Sequence, residues 1–519
     1  MVPGTTFRRV SRPAENSAGF QTCDFELDSP VETPVLRRRP GLPELRFGVG
    51  GCFPSGMNPV VFVAMLLAAV IAPGARAAEL RPVVEVEETV YSHTNANNGA
   101  GPMWCHGSTC LARVGDRLFA TGLETIPGVA PLNNCRWFLL ERDGGGWIRR
   151  FTDTDGRTRE PSPIAAFSDG TVWVSTNPTL APNRTEPGGG PARPEIVQFA
   201  ASAASRPAAT LQPAWDGSPA FTEHSYRSLA ADGASGALVL FQNVGDTHAE
   251  WTFRDGTGRW SAQGRLRWPW GADYEVPQPI RVCYPNVAVR GREVHFFGVS
   301  DIQEPRRAWR EFKHTLTGRH WDYDFRRLFH TWTPDITREP FRAWTEIASR
   351  ESTGGGTAVC DLFLAPDGAV HLLWTERAID ERLRATFFPD ARQSHALHHA
   401  VLRDGRVIRR QTLQESTEDK PGIIASAGRF QSTPDHRLFV IFYAGGTGTD
   451  GRPVAENCVL ELLSDGTATT PVRVPLIHPL TAYFTATPRA GSPPSRTLEM
   501  LGTAGDSPST LRFARVRLD

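Results

Sequence analysis

Lysine is almost missing from this chain. Of 56 basic residues only Lys313 and Lys420 are lysine; the rest are arginine. That scarcity argues against Schiff-base lysine chemistry. No G-x-x-x-x-G-K-[ST] stretch offers a phosphate-cradling loop, and no G-x-G-x-x-G opens a dinucleotide site. There is no C-x-x-C, which argues against a zinc ribbon or a thioredoxin-like site. A surplus of positive charge is also lacking, since 56 basic residues meet 56 acidic ones. A nucleic-acid partner or an anionic membrane surface would call for such a surplus on one face. Finally, no apolar run is long enough to span a bilayer as a helix.

The longest apolar run, 60–72 (VVFVAMLLAAVIA), follows Met57-Asn58-Pro59 and precedes Ala75-Arg76-Ala77. An apolar core of this length with an A-x-A site after it reads as a cleaved export signal. Residues 1–56 are rich in Arg and Pro and carry no periodicity. The division expected is therefore an extension over 1–56, either mis-annotated or disordered, a signal peptide over 57–77 and one domain over 78–519. The mature protein is expected to be secreted or periplasmic, without stable membrane insertion. Its six cysteines, Cys105, Cys110, Cys135, Cys283, Cys360 and Cys458, are an even set that permits disulfides of open pairing.

What is abundant is turn chemistry, with 48 Gly and 42 Pro along the chain. A unit of small or apolar residues, an Asp- or Gly-containing turn and an alternating apolar strand recurs at 111–122, 165–176, 229–243, 287–300, 362–376 and 430–444, and more weakly at 487–502. Apolar strands around Asp-Gly-type turns read as hairpins. A second hairpin follows most units, as in 138–151, 251–264, 330–347, 399–413 and 459–474. Two hairpins per unit make four strands, and radial repetition of four-stranded units makes a propeller. The expectation is an all-β β-propeller of seven four-stranded blades, with six or eight as alternatives. Strand-like ends at 80–90 and 511–519 can close the ring and remove its free edges. Two partly helical insertions are expected at 301–328 and 376–398.

Ser168-Asp169-Gly170-Thr171-Val172-Trp173 is a shortened form of the S-x-D-x-G-x-T-W turn, and Ala365-Pro366-Asp367-Gly368 and Thr433-Pro434-Asp435-His436 keep its Asp turn. In these residues the chain resembles the BNR-repeat, sialidase-like propeller superfamily, and its seven-bladed polysaccharide-lyase-like branch. The resemblance implies an exported protein acting on a polysaccharide or oligosaccharide, as a monomer.

In a propeller the first strand of each blade lines the channel. Here these strands are polar, with Arg159-Glu160, Glu223-His224-Ser225-Tyr226-Arg227, Arg281-Val282-Cys283-Tyr284, Cys360-Asp361 and Arg429. Cleavage of a uronic-acid glycan by β-elimination needs a cation for the carboxylate, a base and an acid. His106, His224, Tyr226 and Tyr284 are the candidate acid and base. Arg159, Arg227, Arg281, Arg429 and Asp361 are the candidate substrate-binding residues. A sialidase-like glycoside hydrolase would instead use an Arg159, Arg281 and Arg429 cluster, a tyrosine nucleophile and a carboxylate from Glu160, Glu223 or Asp361. A non-catalytic carbohydrate- or protein-binding propeller is the third reading. No cofactor is expected; Asp322 and Asp324 offer oxygen ligands to a structural divalent cation without the spacing of a calcium loop, and His395, His398 and His399 offer nitrogens of helical spacing.

Overall fold

The computed structural model describes residues 80–105, 107–184, 190–319, 322–448 and 450–519. The expected extension and signal peptide, and His106, lie outside the described residues.

Seven four-stranded antiparallel sheets follow one another along the chain, so the fold is a seven-bladed β-propeller. The innermost strands are Leu111–Val114, Ile164–Ala166, Arg227–Asp232, Val282–Arg290, Gly354–Leu364, Ile423–Ser432 and Leu480–Thr485, which we number blades 1 to 7. Each neighbours the next around the axis. In blade 7 the sheet is completed by Pro82–Ser92, which pairs antiparallel with Ser507–Leu518 through Val84↔Val516 and Glu87↔Ala514. The ends of the domain thus close the ring as the sequence predicts, with the N-terminal strand as the outermost strand of blade 7.

Burial explains the strand composition. The second strand of blade 3, Ala237–Val244 (ALVLFQNV), is buried on both faces between neighbouring sheets and reads as a continuous apolar run. The outermost strand of the same blade, Trp260–Arg267, alternates between covered and exposed positions. The Asp turns are fixed locally. Asp169 Oδ1 accepts the backbone N–H of Thr171 at 2.8 Å, Asp367 that of Ala369 at 3.0 Å and Asp465 that of Thr467 at 2.7 Å.

Two segments fill the channel. Residues 107–109 enter it before blade 1, where Ser108 Oγ bonds Ser228 Oγ of blade 3 at 3.1 Å and Thr109 Oγ1 donates to the Thr485 carbonyl of blade 7 at 2.8 Å. From the opposite mouth the turn of blade 7 folds inward. Ala490 bridges Ala231 of blade 3 in parallel, and its carbonyl accepts the Ala166 N–H of blade 2 at 2.9 Å. Gly491 lies so close to the Ala166 carbonyl that a Cβ would stand 1.8 Å from it.

The two insertions carry the helices α1 (Arg307–Thr317) and α2 (Glu381–Phe387). Both follow the second strand of their blade, on the face where the inner strands begin. One of the two lysines joins them: Lys313, buried on α1, holds Glu304 at 2.7 Å, Asp322 at 2.6 Å and Asp380, the N-cap of α2, at 3.7 Å. Arg326 adds Glu304 at 2.6 Å and Asp324 at 2.8 Å. Asp322 and Asp324 are thus ion-paired to basic side chains. The His395–His399 stretch forms a strand, Ser394–Arg403, rather than the helix its spacing invites. Among the described residues no group of three or more His, Cys, Asp or Glu is placed to hold a metal ion.

Candidate functional site

The inner strand of blade 4 does not run regularly. Its register against the second strand slips between Cys283 and Asn286, and Tyr284 takes a φ of 51°. Left-handed backbone at a bulky residue costs about 1–3 kcal/mol and persists where surrounding structure holds it. What holds it here is residue 107. Gly107, itself at φ 82°, packs so tightly that a Cβ would stand 2.4 Å from the Pro285 oxygen. The result is to turn the Tyr284 ring toward blade 3. Inner-strand slips recur in blade 5 between Val359 and Asp361 and in blade 6 between Ser426 and Arg429. Bulges of this kind re-aim side chains near sites.

Four of the sequence-selected residues come together at this bulge. The hydroxyls of Tyr226 and Tyr284 are 3.3 Å apart, with ring centroids at 4.9 Å. The His224 ring lies 5.2 Å from that of Tyr226, and the Arg281 guanidinium sits 5.9 Å from the same ring. Trp104 and Phe325 flank Tyr284 at 6.3 and 6.0 Å. Both tyrosines are buried, while His224 and Arg281 keep 20% and 18% of their side chains exposed, so the cluster opens to solvent along the His–Arg edge.

Protonation follows from the surroundings. Burial alone would raise the Glu160 carboxyl, but the hydrogen bond from His224 and the charges of Arg227 and Arg159 outweigh it and hold the group below its ordinary range. Glu160 is therefore a carboxylate, and His224 Nδ1 donates to it at 2.6 Å. That bond fixes the tautomer, so the lone pair of a neutral His224 is on Nε2. Burial, then the neighbouring Tyr284 and Asp301, push the Tyr226 hydroxyl well above its ordinary value. Tyr226 is a neutral phenol, able to give a proton and poorly suited to act as a phenolate.

Arg281 is held from two sides. Its Nε donates to the Asp301 carbonyl at 2.8 Å and Nη2 meets the Asp301 carboxylate at 3.1 Å, while Nη1 meets Asp246 at 3.0 Å. The Asp246 side chain is 81% exposed. An exposed ion pair contributes about 0–1 kcal/mol, so another carboxylate can take its place at little cost.

The remaining described residues of that selection are engaged by backbone carbonyls or by a buried ion pair. Arg159 Nε donates to the Asn98 carbonyl at 2.8 Å and Arg227 Nη2 to the Pro161 carbonyl at 2.7 Å. Arg429 Nη1 donates to the Cys360 and Gly428 carbonyls at 2.7 and 2.8 Å. Asp361 pairs with Arg489 at 2.9 Å inside the channel. Arg159, Arg281 and Arg429 are each engaged with a different backbone carbonyl. Sequence reasoning missed Arg489, Asp301 and Phe325. Arg489 lies in the weakest repeat, and Phe325 sits in an insertion whose fold no periodicity announces. Two cavities of about 330 Å³ each lie by the Asp turns of the opposite face, and the tyrosine cluster lines neither of them.

No family model matches the chain, and no curated protein matches it. Among solved structures, an alpha-L-arabinanase of Penicillium chrysogenum complexed with arabinobiose aligns over 68% of this chain and 91% of its own, at 11% identity and a TM-score of 0.38. A protein of unknown function from Dyadobacter fermentans aligns over 85% and 99%, at 9% identity and 0.39. An alpha-L-arabinofuranosidase of Fusarium graminearum with an iminosugar inhibitor aligns over 68% and 93%, at 10% identity and 0.38. At such scores the chemistry of the site has to be read from this chain's own residues.

Proposed function

We propose that the propeller is an exported, carbohydrate-active enzyme that cleaves uronic-acid glycans by β-elimination at the Tyr226–Tyr284 cluster. The observation that carries this reading is the convergence of a carboxylate-oriented imidazole and an arginine, at a solvent-facing edge, with a buried pair of tyrosine hydroxyls behind them. In the proposed reaction the uronate carboxylate displaces Asp246 from Arg281 and is neutralised there. His224 Nε2 takes the proton at C5, Glu160 stabilises the imidazolium, and the electron pair expels the glycosidic oxygen at C4. Tyr226 and Tyr284 are placed to protonate that oxygen through their shared hydrogen bond. The products are an unsaturated uronate and a new reducing end.

The test is ultraviolet absorbance of the unsaturated product while the protein is incubated with polygalacturonate, alginate and hyaluronate. A rise with one of them is expected. His224→Ala and Tyr284→Phe are each expected to lower that rate about 10²–10⁴-fold, the usual contribution of a positioned acid or base. Asp246→Asn is expected to lower KM for the acidic polymer while leaving kcat nearly unchanged, because it removes a competitor for Arg281.

Glu223 favours hydrolysis as the second reading. It is buried, accepts from Asn133 Nδ2 at 3.0 Å through one oxygen, and has no hydrogen-bond partner at the other among the described residues. It is a second buried carboxyl, on the residue that precedes His224 in the chain. Reducing ends released without ultraviolet absorbance would select hydrolysis and refute elimination. Absence of both signals across the panel would leave a binding module.

A further inference from the structure

The blade 4 insertion carries a tyrosine that the packing of the fold does not call for. Ile302–Gln303 and Tyr323–Asp324 form a two-stranded ladder, with Gln303 opposite Tyr323 and Ile302 opposite Asp324. Successive side chains on extended backbone point to opposite sides. Asp324 is buried, and Arg326 holds it at 2.8 Å. Tyr323 and Phe325 turn the other way, toward the inner strand of blade 4, where Phe325 lies beside Tyr284 and Tyr323 beside Arg281. Phe325 packs against the apolar cluster that contains Trp104, Tyr226 and Tyr284. Tyr323 is half-buried and, among the described residues, belongs to none of the apolar clusters. The Arg281 guanidinium carbon lies 5.6 Å from the centre of its ring. Atoms in contact approach to about 3.5–4.0 Å, so the guanidinium does not cover that ring. Both strands of the ladder are pinned by buried ion pairs: Glu304, next to Gln303, meets Lys313 and Arg326, and Asp324 meets Arg326. Fixed backbone thus places an uncovered aromatic ring at the charged, solvent-facing edge of the site.

We propose that Tyr323 is a substrate-binding residue, the wall against which a pyranuronate ring rests while Arg281 holds its carboxylate. This deepens the elimination reading and rests on it, since both place the carboxylate on Arg281. The face of an aromatic ring is the negative side of its quadrupole, and the axial C–H bonds of a pyranose present weakly positive hydrogens to it. A uronate offers such a C–H face together with a carboxylate on the adjoining ring carbon. The corner made by Tyr323 and Arg281 answers both at once, the ring by apolar contact and the guanidinium by charge. Tyrosine suits the task because it supplies rigid contact area at a low ordering cost. The ring makes the contact, so the hydroxyl is dispensable.

The experiment is calorimetric titration of the whole protein with saturated hexasaccharides prepared from polygalacturonate, alginate and hyaluronate. It is done in a His224→Ala background, where cleavage is slow, and with Tyr323→Ala or Tyr323→Phe added. One of the three oligosaccharides is expected to bind. Tyr323→Ala is expected to weaken that binding about 3–10-fold, the scale of a single aromatic contact, and Tyr323→Phe to stay within about twofold of the parent. The Tm of Tyr323→Ala is expected to match that of the parent, because the ring joins no apolar cluster. With His224 intact, Tyr323→Ala is expected to raise KM by the same factor and leave kcat nearly unchanged. Equal affinity in Tyr323→Ala and its parent would overturn the wall and leave elimination at Arg281 standing. A loss as large in Tyr323→Phe as in Tyr323→Ala would overturn it too, by assigning the contact to the hydroxyl. A loss of binding matched by a fall in Tm would make the ring structural and also refute it. Ring-dependent binding without cleavage by wild type would support the wall and refute elimination, whereas no binding of any oligosaccharide would overturn both.

Discussion

Asp361→Ala is expected to destabilise the fold by about 3–5 kcal/mol, measured as a fall in the denaturant midpoint. Asp361 is fully buried, and its partner Arg489 is 6% exposed. Oδ1 accepts from the Leu362 N–H and from Arg489 Nε, both at 2.9 Å, and Oδ2 accepts from the Phe430 N–H at 2.9 Å. Arg489 also donates to the Gly107 carbonyl. One carboxylate thus ties blades 5, 6 and 7 and the channel segment before blade 1. Removing one member of a buried pair leaves the other charged and desolvated, which costs about 3–5 kcal/mol. Arg489→Met should cost a similar amount. The double variant Asp361→Leu with Arg489→Met should recover part of the loss, because no uncompensated charge remains. A substrate-binding role for Asp361 predicts the opposite pattern, with stability within about 0.5 kcal/mol of wild type, as for surface positions, and weakened glycan binding.

The different fates of Asp361 and Tyr284 show what the sequence could and could not say. Blade number was legible because each hairpin is specified locally: an Asp side chain caps its own turn two residues on, as at Asp169, Asp367 and Asp465. The seventh unit looked weak because its turn is spent inside the channel, where Ala490 and Gly491 meet blades 2 and 3 instead of following the surface pattern. Polar inner strands were equally legible, but their division into mouth and axis was not. Tyr226 and Tyr284 are 58 residues apart and meet because a bulge turns one ring. Asp361 and Arg489 are 128 residues apart and meet because a loop folds into the channel. Neither event has a periodic signature. The helical spacing of His395, His398 and His399 misled for a related reason: the stretch sits in blade 5, where pairing with Val370–Ile379 overrides any local preference.

Two buried histidine pairs, one of them including His399, carry the second large expected effect, a loss of stability on mild acidification. His371 Nδ1 lies 3.0 Å from His399 Nε2 in blade 5, and His295 Nδ1 lies 3.1 Å from His330 Nε2 in blade 4. Burial lowers all four; His371 is brought to about 4 and His399 to about 3, the latter also by the charges of His371 and Arg409. Asp367 near His371, and Glu293 near His295, oppose the shift without cancelling it. In the unfolded chain each imidazole titrates near 6.5, so below that pH the unfolded state binds protons that the folded state refuses. Stability is then complete above about pH 6.5 and declines as the pH falls toward 4. Each tenfold drop in proton affinity on folding corresponds to about 1.4 kcal/mol, so His371 and His399 each account for a loss of about 3 kcal/mol across that window. Denaturant midpoints at neutral pH and near pH 4.5 measure it. Replacing His371 and His399 together by Leu is expected to make the profile shallower, since only the His295–His330 pair is then left to refuse protons. A profile equally steep in that variant would transfer the acid sensitivity to carboxylates held below their ordinary range, such as Glu160 and Glu304.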